Sequence, residues 1–175
     1  MDKMTKEEKY RLLTEQVKTL IEGETDEVAV MANVCAAIHE TMGFFWTGFY
    51  RVKAKAGSGE EELVLGPFQG PVACMHIGYG RGVCGTAWQQ RQTIVVPDVE
   101  QFPGHIACSS LSRSEIVVPV FSADGKVLAV LDIDSKELAT FDDTDRQHLE
   151  TIIAILQDHL QDHLPYCFHP SKTKD

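Results

Sequence analysis

The sequence contains no apolar run of the roughly 18–20 residues that a membrane span requires. Its N-terminus, Met1-Asp-Lys-Met-Thr-Lys-Glu-Glu-Lys9, lacks the apolar core of a secretory signal, so a cytoplasmic location is expected. Positive charge is scarce: 16 Lys and Arg stand against 26 Asp and Glu, for a formal net charge of -10. That balance argues against nucleic acid and anionic membrane surfaces, both of which reward clustered Lys and Arg. There is no CxxC pair, no internal repeat and no low-complexity segment. Zinc sites usually pair cysteines two to four residues apart, and Cys74 and Cys84 lie ten apart. His76 and His105 would complete a metal set only in an irregular assembly, so no metal is expected.

What is present suits one globular domain. The chain has 175 residues, long enough for a real core, with 43% hydrophobic and 24% charged residues. Apolar spacing predicts a helix over about Thr5 to Ile21, with Tyr10, Leu13, Val17, Leu20 and Ile21 facing inward. A second helix follows from about Asp26 to Met42, with Val28, Met31, Ala32, Cys35 and Ile38 inward. Cys35 on that stripe reads as a small core hydrophobe. Strands are expected at Phe44 to Val52, Leu63 to Leu65 (ending at Gly66-Pro67), Thr93 to Val96, Glu115 to Phe121 and Lys126 to Asp134. Asp124-Gly125 marks a hairpin between the last two. The stretch Lys53 to Glu62 should be an outward hairpin tip, and a short helix is expected from Gly82 to Gln90. The chain closes with a helix from Asp142 to about His163 and a polar, mobile tail over 165–175. Strands with helices segregated to the chain ends indicate an α+β domain with the helices on one sheet face. The core spans roughly residues 27–163, with residues 1–26 added as an N-terminal helix.

Three of the five cysteines lie outside these elements or at their ends. Cys74 and Cys84 flank a glycine-rich turn, and Cys108 follows twenty-four residues later in a loop rich in turn formers. Such a loop in a compact domain is more often functional than idle. In a cytosol that keeps thiols reduced, disulfides that do form are usually catalytic or redox-sensing. Three loop thiols can form one labile disulfide by exchange. Spacing alone therefore supports redox-active thiols and no finer assignment. Asp132 and Asp134 interrupt an otherwise apolar strand and project to the same face.

Six segments carry a resemblance: Gly66-Pro-Phe-Gln-Gly70, Ala73-Cys74, Gly82-Val-Cys-Gly-Thr-Ala87, Phe102-Pro-Gly-His-Ile-Ala-Cys108, Ser114-Glu-Ile-Val-Val-Pro119 and Val130-Leu-Asp-Ile-Asp-Ser135. Together they resemble the free methionine-(R)-sulfoxide reductases, enzymes built from a single GAF domain. The resemblance covers roughly Met31 to Leu160. It implies a GAF-type fold, with a central antiparallel sheet, helices on one face and active-site loops on the other. It implies that Cys108 attacks the sulfoxide sulfur and becomes a sulfenic acid, that Cys74 resolves it as a disulfide, and that Cys84 is an auxiliary resolver. Glu115 and Asp134 then match residues that hydrogen-bond or protonate the sulfoxide oxygen, and Asp132 matches a residue that holds the ammonium group of a free amino acid. Trp46 matches the aromatic packed on the S-methyl group, and Tyr50 lies on the same strand face. No bound cofactor is implied: thioredoxin is the reductant, with NADPH consumed indirectly. GAF domains often pair through N-terminal helices, so a homodimer is admitted. Cys35 and Cys167 have no counterpart among the family's functional thiols. The alternative reading is a non-enzymatic GAF domain that binds a ligand or senses redox state. A sensor would have no need for a nucleophile and two resolvers.

Overall fold

The computed structural model describes residues 4–105 and 109–163. Cys108, Cys167 and the 165–175 tail lie outside the described residues.

The first two helices form where caps and apolar spacing coincide. Helix α1 (Lys6–Ile21) opens on a reciprocal cap, in which the Thr5 hydroxyl accepts from Glu8 N–H and the Glu8 carboxylate accepts from Thr5 N–H. Helix α2 (Glu27–Met42) opens on Asp26, whose carboxylate accepts from the N–H groups of Val28 and Ala29. The buried stripes are Tyr10, Leu13, Val17 and Ile21 on α1, and Val30, Met31, Val34, Cys35, Ala37 and Ile38 on α2. Leu20 and Val28, expected inside, are exposed. Each lies beyond the arc of its helix that meets the sheet.

Strands β1 (Trp46–Ala54), β2 (Glu61–Gln69), β3 (His76–Ile77), β4 (Ile94–Val96), β5 (Ser114–Phe121) and β6 (Val127–Ser135) form one sheet in the order β3-β2-β1-β6-β5-β4. Every neighbouring pair is antiparallel. Strand β2 runs through Gly66-Pro67, which had been expected to end it. The β1–β2 register slips between Gly48 and Tyr50, whose partners are Phe68 and Leu65. Gly66 and Pro67 thus sit in a bulge, where the missing proline N–H removes no ladder bond. The strand β3 was not anticipated, because two residues are too few to show alternation. The 53–62 tip and the Ser122–Lys126 turn are hairpin connections as expected.

Alternation along the strands separates two cores. Ala129, Leu131 and Ile133 of β6, with Ile116, Val118 and Val120 of β5, face α1, α2 and the last helix α4 (Asp143–His163). Val130 and Val117 face the other way, toward helix α3 (Gly82–Gln90) and the loops. The N- and C-terminal helices thus cover one sheet face, and the loops with α3 cover the other, as expected for a GAF-type α+β domain. No helix among the described residues is long and apolar enough to cross a membrane.

The chain ends are locked together at one buried acid. Asp145 accepts from Tyr10 Oη (2.7 Å) and pairs with Lys6 Nζ (2.6 Å), while Lys6 also reaches Asp142 (2.9 Å). The Tyr10 ring stacks on His148 of α4 at 5.0 Å between centroids. Removing the acceptor strands a buried hydroxyl, which costs about 1–3 kcal/mol. Asp145→Ala is therefore expected to lower the melting temperature by roughly 3–10 °C. Thermal unfolding followed by circular dichroism checks this, and an unchanged midpoint would mean that the latch carries no stability.

Candidate functional site

One row of side chains crosses the sheet on its loop-covered face. Trp46 of β1 stands opposite Asp134 of β6, and Asp134 stands opposite Glu115 of β5. Two residues along β6, Asp132 projects to the same face, opposite Gly48 and Val117. Period-two alternation thus places an aromatic ring and three carboxyl groups side by side. The α3 N-terminus and the loops carrying Pro71 to Ala73, His105, Ser109 and Ser112 close over them. The space between them amounts to about 560 Å³ with the open solvent at its mouth included.

Trp46 is held rigidly. Its Nε1 donates to Pro71 O (3.0 Å), and its ring stacks on Phe68 at 5.4 Å and on Tyr50 at 6.0 Å. Tyr50 Oη donates in turn to Cys74 O (2.9 Å). Two glycines make room for the indole. A Cβ on Gly48 would stand 2.7 Å from Trp46 Cζ3 and 2.6 Å from Phe68 Cβ. Gly70, at φ +127°, would place one 2.7 Å from Trp46 Cδ1.

The acids lie in an unusual electrostatic setting. Burial first, and the charges of Asp132 and Asp134 second, push Glu115 well above the ordinary carboxyl range, and its hydrogen bond with Asp132 adds to this. Asp132 is raised by burial and by Asp134, against the pull of its bonds with Cys84 and Glu115. Asp134 rises to about 6 through burial, opposed by a hydrogen bond from Ser112. Burial also raises Cys84, followed by the charges of Asp132 and Glu115, so its thiol stays protonated. The Cys84 thiol donates to Glu115 Oε1 at 4.0 Å. Among the described residues, no Lys or Arg pairs with any of the three acids, and only His105 Nε2 comes within 4.0 Å, at Glu115 Oε2. Burial lowers His105, so it supplies no fixed charge. Asp132 Oδ1 is buried without a hydrogen-bond partner. The cluster therefore holds protons in place of a cation.

Ligating atoms of Cys84, Glu115 and Asp132 lie within 4.8 Å of one another, the set here that could hold a metal ion. All three would first have to lose protons that their surroundings retain.

Trp46, Tyr50, Cys84, Glu115, Asp132 and Asp134, singled out in the sequence, all line this cavity. Cys74 carries its rim: Ala73 lines the cavity, and Cys74 is disulfide-bonded. Cys108 itself lies outside them. His105, considered in the sequence as a metal ligand, meets Glu115 in space, and Ser112 meets Asp134. Phe45 and Arg81 also line the cavity and carried no sequence signal. Cys35 is a buried core thiol bonded to Pro67 O (3.3 Å), and Trp88 packs edge-on against Tyr79.

The chain belongs to the GAF domain family, whose profile matches residues 24–161. Within that family it is 53% identical to GAF domain-containing protein A of Dictyostelium discoideum, over 89% of this chain and 95% of that one. It is similar to the free methionine-R-sulfoxide reductases: the Escherichia coli protein of that name is 42% identical over 88% of this chain and 90% of its own length. The crystal structure of free methionine-R-sulfoxide reductase from Neisseria meningitidis, in complex with its substrate, superposes with a TM-score of 0.85 at 49% identity. It covers 92% of this chain and 93% of that one.

The raised pKa values carry a stability consequence. A group whose folded pKa is raised contributes stability that is full below its unfolded value, near 4, and lost as pH rises through the folded value. For Asp134 the free protein therefore loses stability between about pH 4 and pH 6, and for Glu115 and Asp132 the loss begins from the same unfolded value near 4 and continues as pH rises toward their raised folded values. Glu115→Gln, which cannot ionise, is expected to stabilise the free protein by about 1–2 kcal/mol at pH 8 and by less at pH 5. Urea unfolding at the two pH values checks the difference. An equal effect at both would show that the fold does not raise the Glu115 pKa.

Proposed function

We propose that the protein reduces free methionine-(R)-sulfoxide to methionine, with thiols as the source of electrons. The observation that carries this reading is the buried acid cluster facing Trp46 in one cavity. It offers a proton donor, an ammonium site and an apolar wall lining one cavity.

A sulfoxide becomes a good electrophile when its oxygen is hydrogen-bonded or protonated as negative charge develops there. Glu115 suits that role best, because the fully buried acid keeps its proton at neutral pH. Asp134, with a pKa near 6, is mostly ionised at pH 7 and joins Asp132 in facing the ammonium group. Arrival of that ammonium supplies the cation the cluster lacks. The opposite charge of the amino acid fits the start of α3, which has no side-chain cap and whose Gly82, Val83 and Cys84 line the cavity. A methionine within a peptide has neither charge, so the site favours the free amino acid. The Trp46 face takes the S-methyl group, a contact worth about 0.3–1.5 kcal/mol.

In the covalent steps Cys108 attacks the sulfoxide sulfur; oxygen passes to Cys108 as a sulfenic acid and methionine leaves. The Cys74 thiol then displaces that oxygen as water and forms the disulfide, and thioredoxin reduces it. No bound cofactor is needed, and NADPH enters only behind thioredoxin. The disulfide at Cys74 supports its place as resolver. Cys84, protonated and buried among acids, suits an auxiliary role, since the thiolate is the reactive form.

Cys108→Ser is expected to abolish turnover of free methionine-(R)-sulfoxide, and Glu115→Gln to lower kcat by about 10²–10⁴-fold. Cys74→Ser should release one equivalent of methionine and then stall with thioredoxin. Methionine formation measured by chromatography checks all three. No turnover by the unmodified protein on either epimer would leave a non-enzymatic GAF domain as the reading, and equal turnover of peptide-bound sulfoxide would remove the ammonium role of Asp132.

A further inference from the structure

A buried acid that gives up a proton in each turnover needs a route by which to regain it. Glu115 is closed off from water, its side chain 8% exposed. Cys84, whose thiol donates to it, and Asp132 are buried beside it, so a proton lent by either only moves the deficit. Asp134 is half-buried, but in a loaded site it faces the ammonium group. His105 differs from all three. Its Nε2 stands 4.0 Å from Glu115 Oε2, while its side chain is 17% exposed, so the ring lies between the buried acid and solvent. Tyr50, Arg81, Cys84, Asp132 and Asp134 line the same cavity, yet among the described residues Glu115 is the one acid within 4.0 Å of the imidazole.

The loop fixes where this ring begins. His105 N–H donates to Phe102 O (3.1 Å), Phe102 N–H donates to Val99 O (3.2 Å), and Val99 is buried and bonded through its own N–H to Arg113 O (3.0 Å). The backbone is thus anchored, and the side-chain torsions of His105 are left to close the gap. A separation of 4.0 Å exceeds a hydrogen bond, so the pair meets only when the ring swings inward. Burial lowers the imidazolium of His105 and raises the carboxyl of Glu115, which brings their proton affinities toward each other, as a relay requires.

We propose that His105 is a positioning residue that acts through Glu115, carrying a proton from solvent back to its carboxylate once in each cycle. The proposal rests on the reductase reading above and adds the step that resets its acid. Cys108 releases its thiol proton to solvent, and its thiolate takes the oxygen of the sulfoxide together with the proton from Glu115. The substrate's sulfur–oxygen bond breaks, methionine sulfur gains two electrons and Cys108 sulfur loses them, and Glu115 is left ionised. Attack by Cys74 then expels that hydroxyl as water with the Cys74 proton, which returns nothing to Glu115. One proton has gone out at Cys108, and one comes back through His105.

The first turnover starts with Glu115 protonated and needs no relay, whereas every later one does. His105→Gln is therefore expected to form its first equivalent of methionine at the unmodified rate and then to turn over about 10²-fold more slowly. Rapid quenching and chromatography, with dithiothreitol raised until the rate no longer depends on it, read both phases. Imidazole added to His105→Ala should restore the later turnovers, and more so at about pH 6 than at about pH 8, because imidazolium is the form that donates. Equal slowing of the first and later turnovers would mean that His105 only shapes the loop, and would overturn the proposal. An unchanged steady-state rate in His105→Gln overturns it too, as does a failure of imidazole to restore His105→Ala. Absence of methionine from the unmodified protein would instead fail the reductase reading, and the relay with it.

Discussion

Three carboxyl groups on one face of a sheet, two of them buried and the third half-buried, with no Lys or Arg among the described residues to pair with them, are the constraint around which this molecule is arranged. An isolated ionised carboxylate in an apolar setting costs far more than a domain of this size can offset, so burial pushes Glu115 and Asp132 well above the ordinary carboxyl range, while Asp134 rises only to about 6. Glu115 leans on Asp132, Asp132 on Cys84, and Asp134 on Ser112. The charges of Asp132 and Asp134 help to raise Glu115, and that of Asp134 helps to raise Asp132, so the protonation state belongs to the cluster more than to any one member. A cationic ligand changes that balance at once, because it lets charge appear where burial alone forbids it. Ligand binding and proton retention are thus two states of one electrostatic device.

The rest of the fold serves to hold that device in place. Antiparallel register puts Trp46, Asp134 and Glu115 in one row, and a single slip along β6 would turn both aspartates into the helical core. The helical layer on the far face makes such a slip prohibitive, since Ala129, Leu131 and Ile133 would leave it. Gly48 lies opposite Asp132 and leaves the space that the indole of Trp46 fills. The α1–α4 latch at Asp145 closes the helical layer over the chain ends. Strain and desolvation at the site are therefore supported by packing on the face that has no chemistry.

Charge is divided along the same lines. The cavity presents acids at one side and the uncapped start of α3 at another, a pattern that suits a zwitterion. The cavity's outer loop is free of acids and bears its apolar groups outward.

Much of the fold was legible in the sequence because it follows from local rules. The caps at Thr5 and Asp26, the Asp124-Gly125 turn and the α3 boundaries each rest on a few neighbouring residues. The pairing of Asp132 with Asp134 on one face followed from strand periodicity alone. Pro67 misled, because a proline reads as a strand end unless the partner strand is known to bulge beside it. Leu20 and Val28 misled because apolar spacing marks a stripe but not how much of it the sheet covers. The site was legible as a set of residue types and, through the family resemblance, as roles. What only the tertiary structure decided is their state. Glu115 and Cys84 are thirty-one positions apart and meet only when β5 packs beneath α3. Their retained protons arise from burial and from each other's charge, and both depend on distances through space that a linear chain does not contain.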